Sequence, residues 1–262
     1  MTSATAVLRR TNVLGVATML LLLGAWELLI RVGLLDFQNL PAPSAVAARA
    51  QQLLASGELM TNLLHTLRVT LLGWVLASVI GIGLGLVLGL WRPAWRWSMA
   101  SFELLRAVPP ISLVPLALLV FGFSVRTELT LIVYASAWPV LVNTIEGVRT
   151  VRPELRDVAR TLHLSRRETL LKLTLPAAMP SIVVGLQLGL SLALVLAVVA
   201  ELVGNPSGLG NALILAQLAL RPEEMFAYVF TIGLLGIALN AAFRQIVAWT
   251  LTSAKPLPGK VS

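Results

Sequence analysis

Six apolar runs organise the chain, each close to the roughly 20 residues a helix needs to cross hydrocarbon. They cover Val13–Ile30, Val69–Trp91, Ala107–Val125, Leu129–Ile145, Ala177–Ala200 and Met225–Phe243. Each is nearly free of charge, because an ionised group at the bilayer centre is costly. Glu27, near the end of the first run, is the exception. The pattern predicts an all-α integral membrane protein with six transmembrane helices. A signal peptide is the alternative reading of the first run, since Arg9 and Arg10 precede it. No small-residue cleavage site follows directly, so an uncleaved first span is the expectation.

Between the first two runs lies "DFQNLPAPSAVAARAQQLLASG". Its prolines favour an extended piece. Ser44 is placed to cap a short helix that ends at Gly57. Val46, Ala50, Leu53 and Leu54 share one side of that helix, which suits the membrane surface. A plain connector is the alternative. Small residues recur every fourth position in two spans. They are Gly73, Ala77, Gly81, Gly85 and Gly89 in the second, and Ser181, Gly185, Gly189, Ala193 and Ala197 in the fifth. Such stripes let helix backbones approach closely, and packing is preferred here over pore lining.

Composition agrees with the runs. Of 262 residues, 57% are hydrophobic and 12% charged, against about a quarter charged in soluble domains. Fifteen of the 20 lysines and arginines fall on one side once the N-terminus is placed in the cytoplasm. By the positive-inside rule both termini are then cytoplasmic. On this reading Arg92, Arg96 and Arg106 lie in an inner loop. Cysteine is absent and the two histidines, His65 and His163, are far apart in sequence, so no metal site is expected. There is no GxxxxGK[ST] phosphate loop. "GNPSGLG" at 204–210 reads as a turn at a helix end. No catalytic residue is expected, and the chain has no visible means of hydrolysing a nucleotide itself. Glu27, Glu146 and Glu201 form no chain through the spans. They are expected at interfaces or paired with arginines such as Arg31 and Arg149.

The most charged stretch, "RDVARTLHLSRRETLLKLTLP", lies between the fourth and fifth spans. Pro153 suits a first helical position, with Glu154 and Asp157 in the first turn. Leu155, Val158, Ala159 and Leu162 form an apolar stripe. Arg152, Arg156 and Arg160 follow another face. The pattern breaks at His163-Leu164, and Ser165 with Glu168 forms a capping box for a second short helix. Pro176 is expected to end it and start the fifth span. The expectation is a cytoplasmic helix-turn-helix. The residues alone leave two roles open: a basic loop against anionic lipid, or a docking element for a cytosolic partner.

The stretch resembles the EAA loop of ATP-binding cassette (ABC) importer permeases, E-A-A-x3-G-x9-I-x-L-P. Asp157-Val158-Ala159 takes the place of E-A-A, and His163 stands where the family has glycine. Leu173 replaces isoleucine, and Leu175-Pro176 closes the motif in register. "ELLRAVPPISLVPLALLVFG" at 103–122 is similar to the third-span signature of nitrate/sulfonate/taurine-type permeases, and the resemblance covers roughly residues 37 to 245. It implies a MetI-like fold and one transmembrane permease domain over 1–262. The core is then about 60–250, with the first span and a periplasmic linker in 1–60 and a coupling loop at 149–176. It further implies a homodimer in the inner membrane, two cytoplasmic ATPase subunits that bind ATP and Mg, and an extracytoplasmic solute-binding protein. No cofactor is expected in the chain itself, and no nucleic acid. The coupling residues would be Leu155, Arg156, Asp157, Val158, Ala159, Arg160, Leu162, His163, Leu173, Leu175 and Pro176. Pro109, Pro110, Asn143, Gln187 and Ser191 are the groups best placed to line a pathway, for a small anionic solute. A stand-alone carrier or channel and a membrane scaffold are the competing classes.

Overall fold

The computed structural model describes residues 3–34, 39–151, 159 and 161–252. Among these there is no strand. The helices are α1 (Ser3–Arg31), α2 (Pro43–Ala55), α3 (Glu58–Leu90), α4 (Arg92–Ala107), α5 (Val114–Phe121) and α6 (Val125–Arg149). There follow α7 (Arg166–Gly204), α8 (Leu209–Leu218) and α9 (Pro222–Thr252). Five are long and apolar enough to span a membrane. A sixth span arises if the bent pair Pro93–Ala107 and Pro110–Phe121 counts as one. The fold is therefore all-α with five or six candidate spans.

The described residues form two compact units, those within 1–61 and 212–231 and those within 62–211 and 232–252. In the first, polar side chains tie the connector to the span ends. Glu27 accepts from Arg31 Nε at 2.6 Å, from Ser44 N at 2.9 Å and from Ser44 Oγ at 2.7 Å. The expected pairing of Glu27 with Arg31 is present. Ser44 is not the helix cap. Ala42 holds that position without a side-chain bond, because Glu27 already engages the Ser44 hydroxyl. Gly57 does end the helix, at φ +79°. Arg49 Nη2 donates to the buried Glu224 at 2.7 Å. Trp26 packs on Phe226 and Phe230 with ring centroids 5.9 and 6.2 Å apart.

In the second unit, α6 is the central post, and both small-residue stripes close on it. A β-carbon at Gly85 of α3 would stand 2.6 Å from Thr144 Cβ, and one at Gly81 would stand 2.8 Å from Val140 Cβ. On the other side, a β-carbon at Gly185 of α7 would lie 2.8 Å from Asn143 Cβ and 2.9 Å from the Pro139 carbonyl. No side chain fits at these approaches, so packing is what the stripes provide. Trp74 Nε1 locks α3 to α7 by donating to the Leu186 carbonyl at 2.9 Å.

Two further expectations fail. Ala107–Val125 is not one helix: α4 and the segment starting at Pro110 meet at 79°. Two successive prolines explain the break, since a residue before proline is driven out of the helical region. Val108 and Pro109 are both extended, with ψ of 118° and 127°. The 16-residue α4 occupies what sequence reading left as an inner loop, because Arg92, Arg96, Glu103 and Arg106 interrupt its apolar pattern. Pro176, in turn, starts no new helix. The chain is continuously helical from Arg166, with a π-helical stretch at Leu170–Thr174 just before the proline. A proline ring clashes with the carbonyl four residues back and donates no bond, and a widened turn makes room for both defects.

Candidate functional site

The predicted coupling stretch is described from Ala159 onward, with Arg160 excepted. Leu155, Arg156, Asp157, Val158 and Arg160 lie outside the described residues. Ala159 is buried. Leu164 N donates to the Ala159 carbonyl at 2.9 Å, and His163 is left-handed at φ +46°. This is a Schellman turn, in which the left-handed residue is usually glycine. Histidine tolerates that region better than most side chains, so the substitution at 163 keeps the turn. Leu162, immediately before it, is 63% exposed.

The second arm starts as expected. Glu168 N donates to Ser165 Oγ at 3.2 Å, while Ser165 N donates to Glu168 Oε2 at 3.1 Å. Both halves of the capping box are made. Lys172 Nζ donates to Glu168 Oε1 at 3.0 Å. Leu173 falls in the π-helical stretch and is half-buried. Leu175 and Pro176 follow in α7. A cleft of about 780 Å³ opens beside this arm, lined by Leu90, Trp91, Leu164, Arg166, Leu170 and Thr174 among others.

The expected pathway residues are not all in one place. Asn143 sits half-buried where α6 crosses Gly185, and its Nδ2 donates to the Pro139 carbonyl at 2.8 Å. Ser191 Oγ accepts from Asn240 Nδ2 at 3.4 Å and donates to the Gln187 carbonyl at 3.3 Å. Gln187 and Ser191 thus share one face of α7, with Asn240 of α9 joining them. Pro109 and Pro110 lie apart from these, at the break after α4.

Sequence reading missed a buried polar lock. Glu201 is fully buried, and among the described residues no arginine pairs with it. Its carboxylate accepts from Thr66 Oγ1 at 2.8 Å and from Gly210 N at 2.9 Å. Thr66 Oγ1 also accepts from Leu209 N at 2.9 Å, and Asn62 Oδ1 from Gly208 N at 3.2 Å. Gly208 has φ +100°, and a β-carbon there would collide with the Glu201 carboxylate. The glycines of "GNPSGLG" therefore wrap the chain around one carboxylate. Beside it, Glu128 contacts His65 Nε2 at 3.3 Å and accepts from Asn205 Nδ2. His65, Glu128 and Glu201 bring one potential ligand atom each within 4.8 Å of one another. Both Glu201 oxygens are already engaged by protein donors. Of this lock, only the glycine-rich turn gave a signal in the sequence. Thr66 and Glu128 carry no local mark of their role.

The helical architecture, the EAA-like turn and the closely packed glycine stripes together define a helical membrane permease. Residues 77–251 match the family "Binding-protein-dependent transport system inner membrane component", and the chain belongs to that family. It is similar to a "Putative aliphatic sulfonates transport permease protein" of Bacillus subtilis, at 30% identity over 86% of this chain and 82% of the relative. A "Bicarbonate transport system permease protein" of Synechococcus elongatus is 32% identical over 68% of this chain and 65% of its own. A "Nitrate import permease protein" of Leptolyngbya laminosa is 29% identical over 64% and 61%. Two solved structures share the fold. One is an inward-facing MetNI methionine ABC transporter, with TM-score 0.56, 16% identity and coverage of 69% of this chain and 92% of that one. The other is an amino acid ABC transporter, with TM-score 0.57, 18% identity and coverage of 76% and 95%. The chain is thus the permease subunit of an ABC importer and an inner-membrane component. It works with an ATPase subunit, which carries the nucleotide site, and with a binding protein. Family membership sets aside the stand-alone carrier and the scaffold.

Proposed function

We propose that this permease forms, as a homodimer of single-domain subunits, the pathway for a small anion delivered by the binding protein. The observation that carries the substrate class is the set of relatives, whose names specify sulfonate, nitrate and bicarbonate. With α4 and α5 counted as one bent span there are six, and both termini are cytoplasmic. Leaving aside Arg92, Arg96 and Arg106 of α4, twelve basic residues on the cytoplasmic side against five on the other support that orientation.

Two ATPase subunits, each binding ATP and Mg, dock on the cytoplasmic helix-turn-helix. Leu155, Val158, Ala159 and Leu162 provide the apolar contact, and Arg156, Asp157 and Arg160 set its orientation. His163 holds the turn, while Leu173, Leu175 and Pro176 connect it to the fifth span. Asn143, Gln187 and Ser191 line the route, with Pro109 and Pro110 shaping the bent span beside it.

Two measurements test this. Reconstituted with its ATPase and binding protein, the permease is expected to take up labelled nitrate, bicarbonate or ethanesulfonate with ATP. Uptake of a neutral or cationic solute alone would overturn the substrate class. Single cysteines at Ser165 and Ser207 are expected to label from opposite faces of the membrane. Labelling from one face would sink the six-span arrangement.

A further inference from the structure

We infer that Arg106 is the anion-coordinating group of the pathway, standing at mid-depth in the membrane; this rests on the anion-importer reading above. The depth follows from how the bent span lies along α6. Arg149, the last residue of α6, has its guanidinium 4.8 Å from the centre of the Trp95 ring in α4. Further along, the Phe102 and Trp138 rings are 5.9 Å apart. Tyr134 Oη then donates to the Leu105 carbonyl at 2.5 Å. Past the break, Thr127 Oγ1 near the start of α6 donates to the Gly122 carbonyl at 2.6 Å. The pair therefore runs antiparallel to α6 from end to end. Leu105 and Arg106 come level with Tyr134–Trp138, the middle of that 25-residue span.

A cation at this level is expensive unless something compensates it. Among the described residues no carboxylate pairs with Arg106, and its side chain is exposed. It lines a cavity of about 390 Å³ with Phe102, Glu103, Trp138, Val142 and Arg149. Irregular backbone at membrane depth is tolerated where it lines a cavity or is buried in protein. The break at Val108–Pro109 follows directly on Arg106 and Ala107, and of these residues Arg106 lines the cavity. Arg106 is also in the last turn of α4, where the helix dipole favours a cation and leaves its donors free. The missing partner is then an anion, and the guanidinium fork matches the paired oxygens of a planar or tetrahedral oxyanion. Glu103, one turn nearer the cytoplasm on the same wall, opposes the anion's charge. That keeps binding weak enough for release, which conduction requires.

The test uses the assembled complex in liposomes, with labelled nitrate and ethanesulfonate as probes. Arg106→Gln is expected to lower uptake per ATP hydrolysed by about tenfold, the loss of one charge-assisted hydrogen bond. ATP hydrolysis stimulated by loaded binding protein is expected to persist. Arg106→Lys should assemble and lose several-fold uptake, most for planar nitrate. Wild-type uptake per ATP in Arg106→Gln overturns the inference, and would mean that the side chain reaches lipid headgroups or a carboxylate of the second copy. If Arg106→Gln does not assemble, Arg106→Lys decides: wild-type uptake of both probes in that variant overturns it. A wild-type complex that takes up no anionic probe overturns the substrate reading itself, which is a separate result.

Discussion

Replacing Leu162 with aspartate is expected to leave the permease in the membrane at its normal level while stripping it of its ATPase. Leu162 lies directly before the left-handed His163, and its side chain is 63% exposed. It packs against little in its own chain, so the substitution spares the fold. Binding energy at such contacts concentrates in a few buried apolar groups. An uncompensated charge in a buried contact costs about 3–5 kcal/mol. That is a loss of at least about a hundredfold in affinity. Co-purification of the ATPase and transport are both expected to disappear. The competing role of the segment, contact with lipid headgroups, gives another result: Leu162→Asp would retain the ATPase. A pull-down at wild-type level, with transport intact, would decide for that role.

Gly85→Leu is expected to be strongly damaging. A β-carbon at 85 would already stand 2.6 Å from Thr144 Cβ, 2.8 Å from its Cγ2 and 3.1 Å from the Leu141 carbonyl. Thr144 is fully buried and its hydroxyl is committed to the Val140 carbonyl at 2.7 Å, so it has nowhere to move. Overpacking of this kind costs about 1–3 kcal/mol and sometimes more. Four side-chain carbons placed between two backbones belong at the upper end. The yield and melting temperature of the purified protein are expected to fall sharply. Gly83, two residues away, has nothing within 4 Å of a β-carbon. Gly83→Leu is therefore expected within about 0.5 kcal/mol of wild type. Equal stability of the two variants would mean that α3 does not close on α6 along this stripe.

What could be read in the sequence was whatever depends on neighbours along the chain. The long apolar runs became α1, α3, α6, α7 and α9, because an apolar helix is the only economical way through hydrocarbon. The capping box at Ser165 and the left-handed turn at His163 are set within a few residues, and both are present. The glycine stripes named the faces that pack, although not their shared partner α6. Reading failed where a residue's role depends on distant groups. Glu201 is expected at an interface or beside an arginine, and the partner it has, Thr66, comes from another span, 135 residues away. Ser44 had the right residue type for a cap, but Glu27 took its hydroxyl. The bent span was misplaced because Arg96, Glu103 and Arg106 made α4 resemble a loop. Hydropathy averages over a whole helix circumference and misses one that is apolar along a single side.

The unbroken helix Arg166–Gly204 has a mechanical consequence. Its 39 residues make a rod of about 58 Å at about 1.5 Å per residue. One end adjoins the turn at His163, and the other carries Glu201. The rod is held to α6 at more than one level, where Gly185 seats against Asn143 and Pro139 and Gly189 against Val140 and Ser136. A tilt of about 5° carries each end of such a rod about 2–3 Å. Thr66 and the backbone of Leu209 and Gly210 are bonded into the same lock. The far tip thus drags a strip of α3 and the start of α8 with it. A displacement at the turn is thus coupled through one continuous helix to the polar lock at its other end.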